Sequence, residues 1–281
     1  MRPFLGSEAL AQGLLTRGQL RWRYVPILPD VYVPKDWPEL DAWHWAEATW
    51  LWTGRAGVIT GLVATHLLGA YRIPLTGPVE VITSKRRPPK QVCVRAEQIA
   101  DDEIIRWPDC HLTTAARTAV DIGRRRPRDE AVAILDALAH GNCLTASEVL
   151  RVADRYAGTP GIGDARLAAH LMDGGALSLR ETRLRLNLLD RGLPRPQTQI
   201  TICDGGSTTT IPLGWPWCKV AVMFLPNEAA AHPRLLRQRE IQHDVLQAQG
   251  WFTVWTAERY SPRILGSRVS AAIETQKRRA C

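Results

Sequence analysis

From Ser178 onward the chain carries an ordered series of periodicities that few folds accommodate. It runs as one helical segment, three strand-like segments, a helical segment, a fourth strand-like segment and a last helical segment. Ser178-Leu179-Arg180-Glu181 reads as a capping box in which Glu181 reaches back to the cap, so a helix follows through Leu189. Gly192-Leu193-Pro194-Arg195-Pro196 stops that helix. Alternation from Gln199 to Cys203, a turn at Asp204-Gly205-Gly206 and a return from Thr208 to Leu213 make a hairpin, and Lys219 to Leu225 supplies a third strand. A helix over about residues 233–249, Gly250 as its cap, a strand at Trp251-Phe252-Thr253-Val254-Trp255 and a helix over about residues 262–278 complete an α/β/α sandwich.

The upstream half divides again. Up to about residue 36, Ser7 reads as a helix cap before Ala9, Leu10 and Leu14, and Thr16 opens a second helix with Gln19, Leu20 and Trp22. An extended stretch over residues 24–33 then turns at Pro29-Asp30. Two short helices and a β-wing form a reduced winged helix-turn-helix, in which Arg17, Arg21 and Arg23 fall near the second helix, where phosphate and base-edge contacts are made. A helical hairpin with exposed arginines carries the same pattern.

Next, Trp43, Trp45, Trp50 and Trp52 occupy two faces of one helix, which predicts core packing rather than an exposed platform for stacking bases. A small-residue helix over about residues 61–69 precedes strands at residues 79–82 and 92–95. Between these strands the loop Lys85-Arg86-Arg87-Pro88-Pro89-Lys90 makes Lys85, Arg86 and Arg87 candidate phosphate contacts, and it reads equally as an ordinary hairpin tip. Helices open at Thr113-Thr114 and at Arg128. Arg124-Arg125-Arg126 ends the first, where cations suit the helix dipole. Glycine and proline concentrate at residues 157–163, which marks a domain boundary; Gly163 is followed by Asp164, so no phosphate-binding P-loop is present. The expectation is an α+β multidomain chain: a winged-helix-like module over residues 1–36, an α+β domain over 37–158 and an α/β/α domain over 159–281.

Composition narrows the function. With 45% hydrophobic and 23% charged residues, the 281-residue chain is of ordinary globular balance, and its net charge of +8 favours a polyanionic partner over an acidic small molecule. The six cysteines form no C-x-x-C pair, which argues against a structural zinc and for reduced thiols. No run has the length of a signal peptide or a bilayer span, so a cytoplasmic location, no membrane partner and no cofactor are expected.

The C-terminal motifs, in order, are Glu181-Thr182-Arg183-Leu184-Arg185-Leu186, Gly192-Leu193-Pro194-Arg195-Pro196, Gly214-Trp215-Pro216, Lys219-Val220-Ala221-Val222 and Gly250-Trp251. Over about residues 175–275 this part resembles the very-short-patch-repair-endonuclease-like domain of the PD-(D/E)XK nuclease superfamily, which has the restriction-endonuclease-like fold. Upstream, Asp30-Val31-Tyr32-Val33, the helix ending at Leu68-Gly69 and Thr113-Thr114-Ala115-Ala116-Arg117-Thr118-Ala119 resemble the abortive-infection type IV antitoxin family, although Ala115 stands where proline is usual. That resemblance implies an N-terminal winged helix that binds DNA and represses transcription, with the remainder helping to neutralise a toxin.

The departures from the nuclease pattern matter most. Such a nuclease places an aspartate on the second strand and an acidic pair on the third, so that both reach one divalent cation. Alignment on Trp215-Pro216 and Lys219-Val220-Ala221-Val222 assigns the aspartate slot to Pro212 and the acidic slots to Met223 and Leu225, none of which supplies an oxygen ligand. Pro226 and Ala229 replace the usual glycine and histidine. Glu181 remains, with a capping role of its own, while His232 and His243 have no evident carboxylate partner. The expected function is that of a DNA-binding, regulatory, antitoxin-like protein with a catalytically degenerate nuclease-like domain, its partner double-stranded DNA. Two other readings stay open: an interaction module that neutralises a partner toxin, and a metal-dependent endonuclease whose ligands, Asn227 and Glu228 among them, are displaced.

Overall fold

The structure is a computed structural model that describes residues 2–85, 87–204, 207–225, 233–257 and 260–280. It is mixed α+β with three sheets among the described residues, and its contacts divide the chain into residues 1–174 and 175–281. Arg86, the Gly205-Gly206 turn, and Pro226, Asn227, Glu228, Ala229 and His232 lie outside the described residues.

The first unit opens with β1 (Phe4–Leu5), α1 (Gly6–Ala11), α2 (Arg17–Arg23), β2 (Tyr24–Leu28) and β3 (Val31–Pro34). The three strands form an antiparallel sheet in the order β1-β3-β2. A capping box starts α2: Thr16 Oγ1 accepts from the Gln19 amide, and the Gln19 side chain accepts from the Thr16 amide at 2.8 Å. Ser7 does not cap α1, whose cap position is Leu5. Its amide and hydroxyl donate instead to the Asp30 carboxylate, which ties α1 to the β2–β3 turn.

A second sheet comes next, built from β4 (Val58–Thr60), β5 (Val79–Ile82), β6 (Val92–Arg95), β7 (Ile104–Arg106) and β8 (His111–Thr113) in the order β6-β5-β4-β8-β7. The α3 helix (Ala42–Trp52) buries Ala46, Ala48 and Trp52, as its two apolar faces require. Its core also takes in Leu28 and Val31 of the small sheet and Ile59, Val81 and Leu112 of the large one, so residues 1–36 share one hydrophobic core with α3 and the second sheet. β5 and β6 pair in parallel, Val79 opposite Val92, so the Lys85 loop is a crossover rather than a hairpin tip.

The unit is completed by α4 (Gly61–Leu67), which directly follows β4, and by α5 (Ala115–Arg125), α6 (Arg128–Asn142), α7 (Ala146–Arg155) and α8 (Ile162–Leu171). The expected boundary at residues 157–163 therefore lies inside the unit, because α8 packs on α5, α6 and α7. Two glycines allow this packing. A Cβ on Gly123 would stand 2.7 Å from the Ala165 Cα, and Gly161, at φ 77°, would place one 2.2 Å from the Arg124 carbonyl oxygen.

The second unit runs α9 (Leu179–Leu189), β9 (Gln197–Asp204), β10 (Ser207–Trp215), β11 (Val220–Phe224), α10 (Pro233–Ala248), β12 (Phe252–Thr256) and α11 (Pro262–Ala280). The sheet order is β12-β11-β10-β9; β9, β10 and β11 are antiparallel and β12 joins β11 in parallel. Leu184 and Leu188 of α9 and Val269 and Ile273 of α11 pack with Leu213, Val220 and Val222 on one face, while Leu246 of α10 packs with Ile211, Ala221 and Met223 on the other. Two contacts join distant motifs. The buried Trp215 indole donates to the Pro194 carbonyl at 2.8 Å, and Lys219 Nζ donates to the Gln249 carbonyl at 3.0 Å.

Candidate nucleic-acid interface

Arg17, Arg21 and Arg23 lie together on α2, where Leu20 is the buried anchor and every one of Arg17, Gln19, Arg21, Trp22 and Arg23 is exposed. Among the described residues none of the three arginines forms an ion pair. Trp22, which sequence reasoning treated only as part of a helical pattern, is 79% exposed between them. One exposed indole beside three unpaired guanidinium groups makes this face basic and partly aromatic. The signal in the sequence for Trp22 was its place two residues after Leu20, which puts it on the opposite face of the helix.

The other basic candidates differ. Lys85 is pinned to the core, donating to the Trp52 carbonyl with its ammonium 4.6 Å over the Trp52 ring. Arg87 is exposed at φ 63°, the left-handed region, with no ion pair among the described residues. These two sit on the β5–β6 crossover, away from the element that carries the α2 arginines.

Most other arginines of this unit are consumed internally. Arg117 is fully buried and donates to Glu103 at 2.8 Å, to Asp121 at 3.1 Å and to Glu97 at 3.2 Å, with its guanidinium 4.3 Å over the Tyr156 ring. Burial opposes its charge, but Asp121 and Glu103 outweigh that and hold its pKa above the ordinary value. Arg124 and Arg125 pair with Glu97 at 3.0 and 2.8 Å, and Arg126 pairs with Glu130 at 3.1 Å, so these cations answer carboxylates rather than a helix dipole alone. Burial pushes the Glu97 carboxyl up, and its hydrogen bond from Arg124 and the charge of Arg125 bring it below the ordinary range.

In the second unit Glu181 lies on α9, Pro212 on β10, Met223 on β11 and Leu225 directly after β11. Ser178 caps α9, its hydroxyl accepting from the Glu181 amide at 3.2 Å and donating to Glu181 Oε1 at 3.3 Å, while Glu181 Oε2 accepts from the Leu177 amide at 2.9 Å and from the Gln199 side chain at 3.0 Å, so the glutamate also ties the cap to strand β9. Pro212 is half-buried, and the β10–β11 ladder stops beside it at Leu213 opposite Val222, as a residue without N–H dictates. Ile211 packs on the α10 side and Leu213 on the α9 side, so the pleat loses its alternation at Pro212. Met223 is buried against the α10 side, across the sheet from Glu181 on α9. Leu225 is half-buried, its amide donating to the Thr256 carbonyl. The β11 residue that meets α9 is Phe224, with the Arg180 guanidinium stacked 4.1 Å above its ring. His243 is exposed, its ring 3.3 Å from the Thr253 hydroxyl. Among the described residues no group of three or more His, Cys, Asp or Glu side chains could hold a metal ion, and no helix is long and apolar enough to cross a membrane.

The arrangement defines a two-unit α+β protein in which the short exposed helix α2 carries three arginines without ion pairs among the described residues, while α11 carries a further basic cluster, Lys277, Arg278 and Arg279, in its last turn. Over 143 residues the chain is 32% identical to two uncharacterized proteins of Mycobacterium tuberculosis, MT2308 of strain CDC 1551 and Rv2248 of strain H37Rv. The similarity covers 50% of this chain and 53% of each relative, so the chain spans about half the length of the curated relatives it matches. No family model and no solved structure matches it.

Proposed function

We propose that this protein binds double-stranded DNA through residues 1–36 as a regulatory, antitoxin-like protein, and that its second unit is a restriction-endonuclease-like domain without cutting chemistry. The observation that carries the reading is the exposed face of α2, where Arg17, Arg21 and Arg23 lack carboxylate partners while Arg117, Arg124 and Arg125 are all paired. The order α1, α2, β2, β3 suits a reduced winged helix with α2 as the helix that enters the major groove. In that position Arg17, Arg21 and Arg23 reach phosphates or guanine edges, and Trp22 offers apolar contact to a thymine methyl or a sugar.

The mixed sheet β12-β11-β10-β9, flanked by α9 and α11 on one face and α10 on the other, supports the endonuclease-like reading of the second unit. Pro212, Met223 and Leu225, in the slots that the resemblance assigns to the acidic ligands, support the loss of the metal site, since none has a side-chain oxygen to offer a hard cation. The test is gel retardation of the protein's own upstream DNA against unrelated duplex, with and without magnesium. A specific shift of intact DNA is expected. Shortened DNA in the magnesium lane alone would overturn the loss of cutting, and the absence of any shift would move the function to a protein partner such as a toxin.

A further inference from the structure

One corner of the second unit presents two aromatic rings to solvent beside its most basic helix end. Pro216–Cys218 form a single 3₁₀ turn between β10 and β11. Trp215 and Cys218 are buried in the core, which leaves the ring of Trp217 outside at 55% exposure. Phe252, the first residue of β12, is 40% exposed. By the alternation of the strand it shares its face with Val254, which packs in the core that α11 covers.

Gln276 of α11 brings these parts together. Its side-chain amide donates to the Lys219 carbonyl at 3.4 Å and to the Gly250 carbonyl at 3.2 Å, and the Phe252 amide donates to the same Lys219 carbonyl at 2.7 Å. The last turn of α11 therefore ends at the corner of Trp217 and Phe252, where Lys277 Nζ lies 5.1 Å over the Trp217 ring. Arg278 and Arg279 follow it, both exposed. Lys219 is exposed as well, with one of its three donors given to the Gln249 carbonyl. Among the described residues none of these four cations forms an ion pair, and Glu274, the single acidic residue of α11, pairs with none of them. The dipole of α11 suits cations at its end, which accounts for three charges and not for two exposed rings beside them.

Four cations and two rings call for a polyanion that also has flat apolar faces to give. A duplex keeps its bases stacked on one another and would leave both rings in water. An acidic peptide would answer the charges alone. We propose that this corner binds single-stranded nucleic acid, with bases stacking on Trp217 and Phe252 and with Lys219, Lys277, Arg278 and Arg279 on the phosphates. The surface lies at the Val220 end of β11, whereas Met223 and Leu225 lie towards the other end, so it owes nothing to a nuclease centre. It belongs to the second unit by itself and stands whether or not α2 binds duplex.

The experiment is fluorescence anisotropy of the full chain with a short labelled oligothymidylate. Saturable binding is expected, about tenfold weaker for Trp217→Ala and largely kept by Trp217→Phe, which retains a ring. Replacing Lys277, Arg278 and Arg279 together by alanine is expected to lower the slope of log affinity against log salt by about 2. The variant with Arg17, Arg21 and Arg23 replaced by alanine is expected to bind the oligonucleotide as the unaltered chain does, which separates this surface from α2. Absence of saturable binding would overturn the proposal, and so would loss of binding in that α2 variant, since the strand would then lie on the first unit. Trp217→Ala that binds as tightly as the unaltered chain, or polyglutamate that displaces the strand as well as unlabelled oligothymidylate does, would also overturn it, because the surface would then select charge alone. The charge variant decides the matter even if Trp217→Ala does not fold: an unchanged salt slope places the strand elsewhere.

Discussion

Arg117 is a fully buried cation at the centre of a carboxylate network in the first unit. Its partners are Glu103, Asp121 and Glu97, and its removal leaves carboxylates inside the protein without a counter-charge. Arg117→Met is therefore expected to destabilise the fold by about 3–5 kcal/mol, read as a lower denaturant midpoint, with Arg117→Lys losing less because it keeps the charge and forfeits the fork. Glu97 adds a pH dependence. Its folded pKa lies below the ordinary 4.5, so its contribution is fully present above pH 4.5 and is lost as the pH falls from there through the folded value. Melting measured from pH 6 down to pH 3 should show that loss in the unaltered chain and a flatter profile in Glu97→Gln. Glu47 runs the other way: burial raises its carboxyl pKa, so ionising it costs stability as the pH rises above 4.5. Glu47→Met is expected to melt higher than the unaltered chain at neutral pH. The arginines at 117, 124 and 125 all read from sequence as helix residues, and helical spacing connects them to Asp121, but their partners at positions 97 and 103 are connected to them by no periodicity.

At the scale of elements, Gly123 decides how closely α5 and α8 approach. Gly123→Ala would set a methyl 2.7 Å from the Ala165 Cα, a backbone atom that cannot step aside, and is expected to cost about 1–3 kcal/mol in thermal or chemical unfolding although alanine is the better helix former. The same contact explains a misreading. The Gly-Pro cluster at residues 157–163 has the composition of a linker, and only the docking of α8 on α5, a long-range fact, reveals it as a tight connection inside one unit. The C-terminal elements were legible almost throughout, because caps, turns and alternation are local, and each strand from β9 to β12 lies within a few residues of its expected place. The parallel pairing of β5 with β6 was not legible, since a nine-residue connection between short strands ordinarily means a hairpin. In the candidate interface the arginines of α2 were found from the sequence, while the exposure of Trp22 depends on which face Leu20 turns inward.

At the scale of the whole molecule, the α3 core lies in residues 1–174 and the clusters that hold α9, α10 and α11 lie in residues 175–281. A fragment ending at Gly174 is therefore expected to unfold cooperatively by itself and to keep the DNA affinity of the full chain for duplex contacts made by α2; a fragment that fails to fold would show that the second unit contributes to the first. The net charge of +8 gives a general attraction to polyanions, and it does not by itself distinguish α2 from the rest of the surface. The measurement that separates them is the salt dependence of duplex binding, followed by fluorescence anisotropy, for the unaltered chain and for a variant with Arg17, Arg21 and Arg23 all replaced by alanine. If α2 lies on the DNA, the variant loses affinity steeply at low salt and the slope of log affinity against log salt falls by about 2 to 3, the counterions that three phosphate contacts release. An unchanged slope and affinity would contradict the account, because the binding surface would then lie elsewhere on the protein.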